Sequence, residues 1–183
     1  MRNKFLSGIL GFILLSMFAN VSYATPSAKE IDLKVDSALA QLQAQVFDGK
    51  DLIHKAKAVL VFPQVIKGGI GIGAEYGTGA LRINGKTVDY YNTISASVGF
   101  QLGGQVKSVF LFFMQDPALK EFRASEGWKA GVDGSIALIS VGADGSIDTT
   151  KTDQPIIGFV LGQKGLMYNL TLEGSKYNKI QAY

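Results

Sequence analysis

Four lysines stand where a phosphate could be met. Lys50, Lys55 and Lys57 crowd around His54, and Lys67 heads the stretch Lys67-Gly68-Gly69-Ile70-Gly71-Ile72-Gly73-Ala74. An ammonium group offers three donors at the end of a flexible stem. Beside an anionic surface each Lys is worth on the order of 1 kcal/mol. The chemistry these residues suit is electrostatic capture of a phosphate or an acidic headgroup, with no covalent step. If a helix over residues 50–57 docks beside the start of the glycine stretch, the four form one patch of roughly 4 kcal/mol before salt screening. Taken singly, each is as readily an ordinary solvated charge.

Catalytic groupings are thin by comparison. The chain has one histidine and no cysteine, which leaves no Cys–His pair and no His-rich metal site. Glu75 in the glycine stretch and Glu173 near the C-terminus are the carboxylates in unusual surroundings. Buried side by side they would share a proton; apart, each bonds backbone N–H groups. No nucleophile–base pair can be named, so the reading is non-catalytic, without a cofactor or metal. Trp128, Tyr90 and Tyr91 read as packing or interface residues.

The glycines invite a nucleotide reading, and the sequence argues against it. The phosphate-loop pattern G-x-x-x-x-G-K-[ST] is absent. Gly69-Ile70-Gly71-Ile72-Gly73-Ala74 fits G-x-G-x-x-G/A, but that motif needs a helix straight after it to face the pyrophosphate. Glu75-Tyr76-Gly77-Thr78-Gly79 follows instead. A strand fits better. Gly69, Gly71, Gly73, Gly77 and Gly79 share one parity, and Ile70, Ile72, Ala74, Tyr76 and Ala80 share the other. One face is then apolar and the other nearly bare backbone, which permits close approach or tight bending. Similar spacing in 97–104 and 131–137 suggests a curled sheet or a small barrel.

The elements that position these residues follow from periodicity. Ile31, Val35, Leu39, Leu42 and Val46 predict an amphipathic helix from Pro26 to about Val46, opened by a Ser27/Glu30 capping box. Its polar face is slightly acidic, so docking on the glycine-lined sheet is favoured over lying on an anionic membrane. A second short helix covers Lys50 to Ala56. Asp116-Pro117 starts another helix. Strands are expected near 58–62 (stopped by Pro63), 69–76, 79–83, 87–92, 95–103, 105–114, 128–140, 155–162 and 165–173. Asn84-Gly85, Gly103-Gly104 and Asp144-Gly145 supply turns. The expected class is α+β, a glycine-rich, mostly antiparallel curled sheet or small barrel with N-terminal helices packed on it. A transmembrane barrel is disfavoured, because Tyr177 to Ala182 lacks lipid-facing alternation.

Arg2, Lys4, the apolar run Phe5–Phe18 and the small residues of Ser22-Tyr23-Ala24 read as a signal peptide over residues 1–24. The chain is then exported, to a periplasm or beyond, and residues 25–183 form one domain. Losing Arg2 and Lys4 takes Lys+Arg from 18 to 16 against 15 Asp+Glu, a net charge near +1. A bulk basic field for nucleic acid is missing. No disulfide is possible, so burial alone must hold the fold.

Ala56-Lys57-Ala58-Val59-Leu60-Val61-Phe62-Pro63, followed by Val65-Ile66-Lys67-Gly68-Gly69, resembles the opening block of the SYLF domain. Ser97-Val98-Gly99-Phe100-Gln101-Leu102-Gly103-Gly104-Gln105 resembles its central block, Ala118 to Phe122 its short helix, and Gly165-Leu166 through Leu172-Glu173-Gly174-Ser175 its closing block. The resemblance implies a lipid-binding module. Eukaryotic relatives bind phosphoinositide membranes and a yeast relative binds actin filaments. Those carry SH3 or FYVE domains, and this chain resembles instead the stand-alone exported bacterial branch. The partner it implies is an anionic phospholipid surface at the envelope; actin is not expected there. The alternative is a structural protein that binds another envelope protein.

Overall fold

A computed structural model describes residues 26–70, 72–98, 105–139, 147, 153–162, 165–166 and 172–183. The signal-peptide reading, most of the central SYLF block, the Gly103-Gly104 and Asp144-Gly145 turns and much of the closing block lie outside the described residues.

The first helix, α1 (Ala28–Gln45), begins where its cap predicts: Ser27 Oγ accepts from Glu30 N at 3.2 Å. The reciprocal half of the box is not made, because the Glu30 carboxylate takes Lys34 at 2.7 Å one turn on. A short second helix, α2 (Gly49–Lys55), leads into the sheet. The third, α3 (Asp116–Ala124), carries Pro in its first turn.

The strands are β1 (Ala58–Ile70), β2 (Ile72–Ile83), β3 (Lys86–Val98), β4 (Gln105–Phe113), β5 (Trp128–Lys129), β6 (Ala137–Leu138), β7 (Ile156–Gly162), β8 (Gly165–Leu166) and β9 (Lys176–Ile180). They form one sheet in the order β5-β9-β3-β2-β1-β4-β7-β6, with β8 on β7. Every pairing is antiparallel except β6 on β7. The α+β, mostly antiparallel expectation holds.

Pro63 does not end a strand. It sits in a bulge, where the β1–β2 register jumps between Val61 and Gln64 and the β1–β4 register between Phe62 and Val65. A bulge is where a strand tolerates a residue without an N–H. The Pro63 carbonyl accepts from Ser108 Oγ at 2.8 Å. β2 and β3 each run unbroken across what read as two strands. Residues 128–140 form two short strands around a loop rather than one long strand, and β9 was not foreseen.

Each sheet face carries its own core. On the outer face Ile31, Val35, Ala38 and Leu42 of α1 pack on Val59, Val61, Ala80, Phe110 and Phe112. On the inner face Leu60, Phe62, Leu81, Leu111 and Phe113 meet Tyr91, Phe122, Trp128 and Tyr177. The inner face is concave. The Phe62 and Tyr177 rings lie 5.6 Å apart although β2 and β3 separate their strands, about 14 Å of flat sheet. Gly77 and Gly79 share this inner face with Leu81, so α1 does not dock on the glycine side as expected. What comes close instead is the β1 bulge: a Cβ on Gly79 would overlap the Val61 carbonyl, and one on Gly77 would lie 2.7 Å from Gln64 O.

Candidate functional site

The helix lysines sit among carboxylates. Lys50 and Lys55 are exposed on α2, and Lys57 lies 3.4 Å from Asp116 across solvent. Lys55 shares a surface pocket of about 340 Å³ with Asp48, Asp51 and Asp153. Lys55 and Lys57 therefore have acids nearby, and all three lysines are exposed and free to solvate.

Lys67 is elsewhere. It lies ten residues along β1 from Lys57, about 30 Å by strand rise, at the opposite end of the sheet. The single patch of four lysines does not form.

What Lys67 meets is an internal cluster. Its cross-strand partner is Glu75, with Nζ 4.0 Å from Oε1. The second Glu75 oxygen takes Lys107 Nζ at 2.7 Å. Lys107 is buried, Glu75 nearly so, and Lys67 is the most open of the three, at 22% side-chain exposure. Two cations thus share one carboxylate on the concave face. Lys107 follows from the strand period, since Lys107, Val109, Leu111 and Phe113 alternate inward together. That parity was the available signal for it, and sequence reasoning missed it. Glu173 is exposed on the far side of a turn from β9, so no dyad with Glu75 was to be expected from its burial.

Polar groups continue across the same row. Tyr177, Thr93, Gly77, Val65 and Lys107 are successive cross-strand partners. Thr93 and Ser175 are buried, and Tyr177 Oη is buried beside their hydroxyls without a well-formed hydrogen bond among the described residues. Burial holds the Tyr177 phenol well above its ordinary range; the Glu75 charge adds to this, and the Ser175 and Thr93 hydroxyls partly offset it. The phenol therefore keeps its proton and remains a donor.

Directly behind this cluster, on the outer face, the same strands carry apolar side chains into solvent. Ile66, Tyr76 and Ile94 are cross-strand neighbours and 55%, 50% and 46% exposed. The exposed Ala74 and Ala96 pair one step further out. A groove of about 200 Å³ separates Ile66 and Tyr76 from Pro26, Ile31 and Lys34 of the α1 end.

Two other charged clusters fasten the fold. Asp32 and Asp36 of α1 hold Arg82, with Asp36 at 2.8 Å, and Asp32 also accepts from Thr87 at 2.7 Å and Tyr90 at 3.0 Å. Asp89, buried, pairs with Arg123 at 3.0 Å and with Lys179. His54 lines a pocket of about 430 Å³ between the helices and the β2–β3 turn. Among the described residues no group of three His, Cys, Asp or Glu could hold a metal, and no helix is long and apolar enough to cross a membrane.

No curated protein matches the sequence. Residues 94–182 match the family Ysc84, described as Las17-binding protein actin regulator. The match runs from the outer half of β3 through β9 and takes in Lys107 and Tyr177. It overlaps the central, short-helix and closing blocks quoted above, and not the opening block, so this part of the chain is similar to the Ysc84, or SYLF, family.

Proposed function

We propose that this protein binds the surface of anionic phospholipid membranes at the bacterial envelope, without catalysing a reaction. The observation that carries the reading is the two-sided end of the β1–β3 arm. Ile66, Tyr76 and Ile94 project half-exposed from one side, and Lys67 lies one residue on, on the other. An interface with lipid asks for an apolar wedge and a cation near the phosphates. Burying the exposed halves of three such side chains contributes about 3 kcal/mol, and one lysine about 1 kcal/mol. Such binding is weak for one molecule and salt-sensitive. Pro26, where the predicted signal peptide joins, borders the same groove as Ile66 and Tyr76. Lys55 and Lys57 contribute little in this reading, because carboxylates lie near them.

Co-sedimentation with vesicles tests it. The protein should pellet with anionic vesicles and not with neutral ones, and added salt should release it. Ile66→Ser and Tyr76→Ser, each at an exposed position, should weaken pelleting several-fold without changing the thermal midpoint. Equal pelleting by both vesicle types would reject the role of anionic charge, and none by either would reject the lipid surface and favour an envelope protein as the partner.

A further inference from the structure

We propose that the concave face of the sheet holds one oxyanion, a phosphate or phosphate ester, between Lys67, Lys107 and Tyr177. The charges do not balance there: two ammonium groups share the single Glu75 carboxylate. Glu75 bonds Lys107 at 2.7 Å, while Lys67 at 4.0 Å is beyond hydrogen-bond reach of it. A secluded cation without a full set of acceptors is costly, and an anion between the lysines supplies them.

A neutral donor points the same way. Tyr177 is 1% exposed, and its hydroxyl, beside those of Ser175 and Thr93, makes no well-formed hydrogen bond among the described residues. Buried hydroxyls of this kind normally find one. Thr93 and Ser175, both buried, add two more hydroxyls beside it. Tyr177 and Lys107 stand at opposite ends of one cross-strand row, and the curl that brings Phe62 to 5.6 Å from Tyr177 turns those ends toward each other. Ammonium and hydroxyl donors from several strands thus share one face of the curl, the kind of donor set a tetrahedral oxyanion accepts. A metal cation is repelled by the surplus positive charge. The proposal deepens the lipid reading and rests on it for one point, the source of the phosphate: a lipid headgroup, or free phosphate.

Trp128 is the single tryptophan of the chain, and its ring lies 5.9 Å from that of Tyr177. Its fluorescence therefore reports on the site. The purified protein is titrated with inorganic phosphate and with monomeric short-chain phosphatidic acid, each against chloride at equal ionic strength. The expected result is a saturable change with one or both phosphates and none with chloride. Affinity should fall at least fivefold in Tyr177→Phe and about tenfold in Lys67→Gln. Tyr177→Phe keeps the packed ring and removes a hydroxyl that makes no well-formed hydrogen bond, so it folds whatever the role of the site. Response to phosphatidic acid alone assigns the site to a headgroup, and response to both assigns it to phosphate in general; either supports the proposal. No response to either, or unchanged affinity in Tyr177→Phe, overturns it. If Tyr177→Phe loses nothing while Ile66→Ser still weakens vesicle binding several-fold, the internal site fails and the surface reading stands. If phosphate titrates but no vesicle pellets the protein, the reverse holds.

Discussion

Lys55 and Lys107 are the same side chain in opposite circumstances. Lys55 is exposed on a short helix with Asp48, Asp51 and Asp153 around one shared pocket. Lys107 is 6% exposed on a sheet strand and shares one carboxylate with Lys67. The helix end has more cations in a short stretch of sequence, yet its charge is cancelled locally and screened by water and salt. The strand end has fewer, yet leaves a positive charge over inside a low-dielectric surrounding, where it acts more strongly. Cation density along a chain is thus a poor guide to an anion site. Neighbours across the sheet decide it.

The largest effect expected from this contrast is on stability. Lys107→Met removes the cation within hydrogen-bond reach of Glu75 and leaves Lys67 at 4.0 Å, and should cost about 1–3 kcal/mol in denaturant unfolding. Lys55→Met, at an exposed position, should change stability by about 0.5 kcal/mol or less. Adding Glu75→Met to Lys107→Met should recover only part of the loss, because the poorly bonded carboxylate goes but Lys67 then loses its partner. Similar losses in the two single variants would erase the comparison.

A smaller effect is set by pH. Burial pushes the Tyr91 phenol up to about 12, with Asp89 adding and Arg123 opposing. An unfolded tyrosine loses its proton near 10. Between pH 10 and pH 12 the unfolded chain therefore binds fewer protons than the folded one, and stability falls as pH rises through that window. Below pH 10 this contribution is fully present. The thermal midpoint should decline more shallowly above pH 10 in Tyr91→Phe than in the parent protein; identical slopes would show that the inner face does not seclude this phenol.

The smallest effect belongs to the helix end. The Lys57–Asp116 pair, at 3.4 Å with both side chains about half exposed or more, should contribute roughly 0.5 kcal/mol. Lys57→Ala should barely move the denaturation midpoint, and 1 M salt should remove what difference there is. A loss comparable to that of Lys107→Met would place the helix lysines in a structural role that solvent exposure does not support.

Much of the scaffold was legible in the sequence because it rests on periodicity. The stripe Ile31, Val35, Leu42 marked α1 and its buried face, and alternation marked the strands. The reading failed where tertiary partners override local signals. Pro63 reads as a terminator, but a bulge shared by β2 and β4 absorbs it. The bare glycine face reads as a seat for the helix; it accommodates the neighbouring bulge instead, and α1 takes the Ala80 side. Lys67 was legible as the first candidate because its flanks resemble the SYLF opening block. Its surroundings were not, because Glu75 and Lys107 reach it only through strand register, and no local pattern fixes register between β1 and β4. Tyr177 was invisible for the same reason: β9 is five residues long and reads as a polar tail.

The most direct test of the account compares the two lysine groups on lipid. Anionic vesicles are sedimented with Lys67→Gln and, separately, with the triple variant Lys50→Gln/Lys55→Gln/Lys57→Gln, at low salt. The account predicts several-fold weaker pelleting for Lys67→Gln and little change for the triple variant. Loss of binding in the triple variant with Lys67→Gln unaffected would contradict it and move the membrane contact to α2.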